Sequence, residues 1–322
     1  MVGVKIIGTG SSLPKNVLTN FDLEKMVETS NDWIIQRTGI SERRIAQDET
    51  NLSLSLDASL CAIEDAKIDK SQIGLIVFAS ITQDYITPAS ASLIQKELGI
   101  KKACAFDIAA GCSGFVYALA VAKSLMESQN HEYALVVGCD VLSKITNWQD
   151  RSTCILFGDG AGAVVLKRDE EEGILASNLT SYPDETNSLY CESFKINNPF
   201  SQNDEIPGKL VMDGRQVFRF ATSALVYEVT KVLQKANLDI EKIKYIVPHQ
   251  ANKRIIDYAA EKLNVSEEKF IVNVNSYGNT SAASVPICLD EINKKGLLSE
   301  GDYIVLVAFG AGLTSGALLL KW

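Results

Sequence analysis

The feature that most constrains the fold is a repeat. Ala66-Lys-Ile-Asp69 and the residues through Val77 align without a gap on Ala236-Asn-Leu-Asp239 through Val247, 170 positions further on. Alanine, aspartate, Ile73/Ile243, Ile76/Ile246 and Val77/Val247 coincide. Each copy reads as the end of an amphipathic helix, a polar turn and a β-branched strand. The same shift lays Ala134–Gly138 on Ile304–Ala308, and Ala163-Val-Val-Leu-Lys167 resembles Ala317-Leu-Leu-Leu-Lys321. Two halves with the same order of elements are expected. Chance similarity between helix–turn–strand units, which share turn chemistry, is the competing explanation.

Within each half, apolar runs alternate with helical patterns, which predicts an α/β fold of mostly parallel sheets covered by helices. The halves are read as residues 1–170 and 171–322, joined across the charged turn Arg168–Glu172. Ser181–Gly208, polar and holding Pro183, Pro199 and Pro207, reads as an inserted surface excursion. The uncharged run Tyr303–Leu320 is long enough to span a membrane, but Gly310, Gly312 and Gly316 interrupt it. Two buried strands joined by a glycine turn fit better, and the N-terminus does not read as a signal peptide.

Composition narrows the function. Thirty-one basic against 40 acidic residues, a formal charge of −9, disfavour nucleic acid and anionic membrane as partners. The seven cysteines form no CxxC pair, which suits a reducing, cytoplasmic setting. With only His131 and His249 present, a multi-histidine metal site is not expected. His131, in Ser128-Gln-Asn-His-Glu132, reads as a solvated loop residue; Cys61 and Cys288, in helical patterns, read as core.

Cys112 stands apart from the other thiols. Ala103–Ala109 looks like a buried strand, Phe115–Met126 like a helix, and Cys112 falls in the glycine-flanked turn Ala110-Gly-Cys-Ser-Gly114 between them. Helix-start N–H groups there would lower its pKa. In the second half a strand around Phe270–Val274 would lead to Ser276–Ser281, with Gly278-Asn279 in the place of Gly111-Cys112. His249 ends the repeated strand where the first copy has Ala79, so it breaks the repeat. A thiol, an imidazole and an amide would thus meet at strand ends. Phe157-Gly-Asp-Gly-Ala-Gly162 and Phe309-Gly-Ala-Gly312 lack the context of phosphate loops and read as tight strand turns.

Together these segments resemble the thiolase-like condensing enzymes, specifically the β-ketoacyl-acyl-carrier-protein synthase III family. The likeness runs through Gly8–Pro14, Asn31–Ile40, Ala110–Phe115, Asp150–Thr153, Phe157–Gly162, Val247–Asn252 and Gly278–Pro286. It implies a thiolase-like five-layered αβαβα fold and a catalytic set of Cys112, His249 and Asn279. Thiolases proper would need a second cysteine near Gly310–Gly312, and elongating synthases a second histidine at Asn279; neither is present.

The resemblance implies a homodimer that initiates fatty-acid synthesis. Cys112 would take the acyl group of acyl-CoA, with the N–H groups of Cys112 and Gly310 as oxyanion hole. Malonyl-acyl-carrier protein would then lose carbon dioxide and condense, and no cofactor is implied. Trp33 and Arg151 would clamp the adenine, Arg37 the CoA phosphates, and Met212, Gly214, Phe218, Ala251 and Asn252 would line the pantetheine tunnel. Lys253 and Arg254 would meet the carrier protein. Thr87 stands where some relatives carry a bulky phenylalanine reaching into the partner's acyl pocket, which predicts room for branched or longer primers. A starter condensing enzyme of a secondary-metabolite pathway, or a thioesterase or cysteine hydrolase using the same trio, are the alternatives.

Overall fold

The computed structural model describes residues 3–171, 173–201 and 208–322. The repeated unit is built alike in both copies. The helices Asn51–Ala66 and Gly214–Ala236 each end on a left-handed residue, Lys67 (φ 54°) and Asn237 (φ 49°). A single 3-10 turn follows in each, Lys70–Gln72 and Ile240–Lys242, and the strands begin at Ile73 and Ile243. All these features recur 170 positions apart, as do the later strands starting at Tyr133 and Tyr303.

Among the described residues, nine strands make the two main sheets: β1 (Gly3–Ser12), β2 (Ile73–Ala79), β3 (Cys104–Ile108), β4 (Tyr133–Val141), β5 (Asp159–Asp169), β6 (Ile174–Ser181), β7 (Ile243–Pro248), β8 (Tyr303–Gly310) and β9 (Thr314–Lys321). The first sheet has the order β1-β5-β4-β2-β3 and the second β6-β9-β8-β7. The expectation of mostly parallel sheets is corrected: only three of these seven pairings are parallel, β2 with β3 and with β4, and β7 with β8. One cause is local. Three residues separate β8 from β9, too few for a crossover, so the pair closes as an antiparallel hairpin.

The main helices are α1 (Asn31–Thr38), α2 (Asn51–Ala66), α3 (Ser90–Leu98), α4 (Gly114–Gln129), α5 (Gly214–Ala236), α6 (Lys253–Leu263) and α7 (Ser284–Lys294). Residues of α4 and α7 share one buried cluster with Leu75, Val77 and Val136 of the first sheet and Leu306, Leu318 and Leu320 of the second. The alternate strand residues Ile76, Phe78, Leu135 and Val137 pack outward on α2 and α3. Ile246, Val305 and Val307 do the same on α5 and α6. The layers therefore run α, β, α, β, α. Strands covered on both faces explain the continuous apolar runs of the sequence.

Three further expectations change. Phe270–Val274 is not a strand: Phe270 makes a single bridge to Ile246, and a short helix, Val274–Tyr277, follows. The Gln250 side chain takes up the backbone instead, accepting from Asn273 N and Val274 N and donating to Ile271 O. Phe157–Gly162 is not a tight turn but runs into β5, where a Cβ on Gly162 would lie 2.7 Å from Pro286 of α7. The excursion after Ser181 is more than surface, because Leu189–Tyr190 pairs with Val211–Met212 and Cys191 enters a cavity wall. Residues 202–207, Pro207 among them, lie outside the described residues.

The run Tyr303–Leu320 forms β8, a turn and β9, as expected, and no described helix is long and apolar enough to cross a membrane. All seven cysteines are free; Cys288 is core, whereas Cys61 is partly exposed. His131 lies between helix and strand, with Nε2 3.2 Å from Gln129 Oε1.

Candidate active site

Cys112 sits in a 3-10 turn, Gly111–Ser113, that runs directly into α4. Gly111 has φ 53°, a conformation costly for any side-chain-bearing residue. A Cβ there would also lie 2.9 Å from Ala311 N. The turn is braced from the other half: Ser113 Oγ donates to Ala110 O (2.7 Å) and lies 2.8 Å from Thr314 Oγ1. Gly310 ends β8 against the same backbone, since a Cβ on it would be 2.5 Å from Cys112 N.

His249 follows β7, where its N–H donates to Val307 O (2.8 Å), and its ring meets Phe309 edge-on at 5.2 Å. Its Nδ1 is 2.6 Å from Ser284 Oγ. Asn279 is clamped by backbone: its N–H donates to Leu156 O (2.8 Å) and Gly158 N–H donates to its carbonyl (3.0 Å). Glycines at 158 and 278 permit this approach, because a Cβ on Gly158 would lie 2.2 Å from Tyr277 O. Ser281 N–H donates to Asn279 Oδ1 (2.9 Å), which commits the oxygen and leaves the Nδ2 donor for a ligand.

Cys112, His249 and Asn279 line one largely apolar cavity, and they are 9%, 1% and 7% exposed. So little solvent contact governs their protonation. Burial pushes the Cys112 thiol up to about 12, more than a nearby Ser281 hydroxyl pulls it down. The expected lowering at a helix start is therefore corrected: at this depth of burial desolvation dominates. Burial also holds His249 down to about 3, so the ring is neutral at ordinary pH.

Met212, Gly214, Phe218, Ala251, Asn252 and Gly310 line the same cavity. Trp33, Arg37 and Arg151 cluster outside its lining: the two guanidinium carbons lie 6.0 and 5.2 Å from the Trp33 ring centre. Asn252 Nδ2 donates to Arg37 O (3.0 Å) and ties α1 to the rim. Arg254 stacks over Phe218 at 5.5 Å, while Lys253 is held by Asp257 at 2.6 Å. Thr87 is exposed and does not line this chain's cavity.

Sequence reasoning missed several residues. Ser281, Ser284, Ser113 and Thr314 gave no signal, because hydroxyls in turns are common. Ile81, Leu142, Phe157 and Leu210, on the cavity wall, look like any core residue. The pairing of turns was also misplaced. The structural counterpart of Gly111–Ser113 is Ser281–Ala283, again a 3-10 turn and again 170 positions on, with Ser281 at φ 50°. Ala282, not Asn279, corresponds to Cys112.

Two family models match, 3-oxoacyl-[acyl-carrier-protein] synthase III over residues 106–183 and the C-terminal region of the same family over residues 233–322. A β-ketoacyl-[acyl-carrier-protein] synthase III of Clostridium beijerinckii is 51% identical over the full length of both chains. The crystal structure of 3-oxoacyl-[acyl-carrier-protein] synthase III from Aquifex aeolicus superposes with a TM-score of 0.92 at 45% identity, covering 99% of this chain and 100% of that one. The priming β-ketosynthase of the R1128 polyketide pathway reaches the same TM-score at 34% identity, over 99% and 96% of the two chains. With half of the chain matched by the family models and relatives this similar over its whole length, the chain belongs to the β-ketoacyl-acyl-carrier-protein synthase III family of thiolase-fold condensing enzymes.

Proposed function

We propose that this enzyme initiates fatty-acid synthesis by condensing an acyl-CoA primer with malonyl-acyl-carrier protein through an acyl group on Cys112. The observation that carries the reading is the meeting of Cys112, His249 and Asn279 on one apolar cavity, with the Asn279 oxygen already committed and its Nδ2 uncommitted. Cys112 sulfur attacks the thioester carbonyl and CoA leaves with the thiol proton. The N–H groups of Cys112 and Gly310 hold the oxyanion.

Malonyl-carrier protein then loses carbon dioxide, and the electron pair of the broken C–C bond forms the new bond to the acyl carbon while Cys112 is released. No base has to remove a proton. The site has to supply donors to the thioester oxygen, and the neutral ring of His249 and the Asn279 amide are suited to that. Trp33, Arg37 and Arg151 would hold the CoA head, Met212, Gly214, Phe218, Ala251 and Asn252 its pantetheine arm, and Lys253 with Arg254 the carrier protein. The enzyme is read as a cytoplasmic homodimer of chains with halves 1–170 and 171–322, requiring no cofactor beyond its substrates. Thr87 leaves room in the partner's acyl pocket for primers longer than acetyl.

Separating the two half-reactions tests this. Cys112→Ser should give no acyl-enzyme by intact mass, whereas Asn279→Ala should acylate within a few-fold of wild type and condense at least 100-fold more slowly. Normal condensation in either variant refutes the assignment, and release of free acid from acyl-CoA alone would point to a thioesterase. The likeness to the R1128 priming enzyme keeps a polyketide starter role as the second reading; a panel of acyl-CoA primers against malonyl-carrier protein separates them.

A further inference from the structure

We propose that Ser284 holds His249 as the tautomer with its proton on Nε2, and so acts as a positioning residue for condensation. This rests on the reading of His249 as a hydrogen-bond donor. Ser284 opens α7, is 2% exposed, and places its Oγ 2.6 Å from His249 Nδ1. The same oxygen receives the Gln250 N–H at 3.4 Å.

The hydroxyl proton therefore needs an acceptor. Buried Thr38, Ser55, Ser59 and Thr146 give theirs to the carbonyl four residues back. Ser284 makes no such bond among the described residues, and Nδ1 is the acceptor in reach. An imidazole that accepts at Nδ1 while neutral carries its N–H on Nε2. Were Nδ1 to donate instead, Nε2 would be a bare acceptor, unable to stabilise negative charge on a thioester oxygen.

The other half supplies an internal comparison. The positions 170 residues earlier are Ala79 and Gly114, and a Cβ on Gly114 would lie 3.2 Å from the Ala79 Cβ. The two backbone positions are neighbours in both halves. In one they carry the smallest side chains; in the other they carry an imidazole and the hydroxyl that binds it.

The test uses Ser284→Ala, Ser284→Thr and His249→Ala in the full-length enzyme, with acylation by acyl-CoA and condensation with malonyl-carrier protein measured separately. Ser284→Ala should acylate within two-fold of wild type and condense at least ten-fold more slowly. In 15N-histidine NMR its His249 signals should lose the Nε2–H pattern present in wild type, and Ser284→Thr should restore both. Unchanged condensation or an unchanged tautomer in Ser284→Ala overturns the proposal. So does a wild-type His249 that carries its proton on Nδ1, a measurement independent of whether any variant folds. If His249→Ala condenses normally, the donor reading itself has failed; if it is inactive while Ser284→Ala is not, only the role of Ser284 has.

Discussion

The ends of β4 and β8 correspond across the repeat, yet one is filled and the other is open. Asp140, in β4, is fully buried and accepts from Ala282 N (3.2 Å), Ile81 N (2.9 Å), Thr82 Oγ1 (2.8 Å) and Ser80 Oγ (3.0 Å). Gly310, in β8, offers no side chain to Cys112 N, although a Cβ on it would lie 2.5 Å from that nitrogen. The N–H that a carboxylate saturates at Ala282 is thus left for a ligand at Cys112. By analogy with the filled end, the oxyanion hole proposed at Cys112 and Gly310 would hold an anionic oxygen there. The filled end also explains why burial raises Asp140 without leaving it unpartnered.

Filling the open end should have the largest effect. Gly310→Asp is expected to lower acylation of Cys112 by about 10²–10³-fold, the usual cost of losing an oxyanion donor. Near-normal acylation, measured by mass spectrometry on folded protein, would break the comparison.

Emptying the filled end should cost stability instead. Asp140→Asn turns an amide N–H₂ toward donors that now meet a carboxylate, at about 1–3 kcal/mol. The melting temperature should drop by several degrees with condensation by the native fraction little changed. A condensation defect without a thermal one would give Asp140 a chemical role and end the analogy.

A third difference is a pH slope from the buried ring of His249, which its counterpart Ala79 cannot produce. His249 titrates near 3 when folded and near 6.5 when unfolded, so between these values the unfolded chain binds the extra proton. Stability should therefore fall as pH drops from 6.5 toward 3. Replacing His249 by alanine, the residue at position 79, should flatten the denaturation profile there by about 1.4 kcal/mol per pH unit. An identical slope in the variant would mean that the ring is not held neutral.

Much of the layout was legible in the chain because duplication writes itself into register. The shift found at Ala66/Ala236 locates both capped helices, both 3-10 turns and both inner strands. Strand direction was not legible, since a strand buried on both faces has the same apolar run whether parallel or antiparallel. The fate of Phe270–Val274 depended on one side chain, Gln250, satisfying backbone that a ladder would otherwise pair. Cys112 stood out through its glycines and His249 through its break in the repeat. Protonation could not be read that way, because whether helix-start N–H groups or desolvation governs a thiol depends on burial.

The layer formed by α4 and α7 has a mechanical consequence. Its side chains interlock with both sheets in one continuous cluster, and the turns bearing Cys112 and Ala282 lead straight into these two helices. Among the described residues, this cluster joins the two halves without a break between them. Swinging one half against the other would have to break that cluster, so the turns bearing Cys112 and Ala282 are expected to keep their mutual geometry.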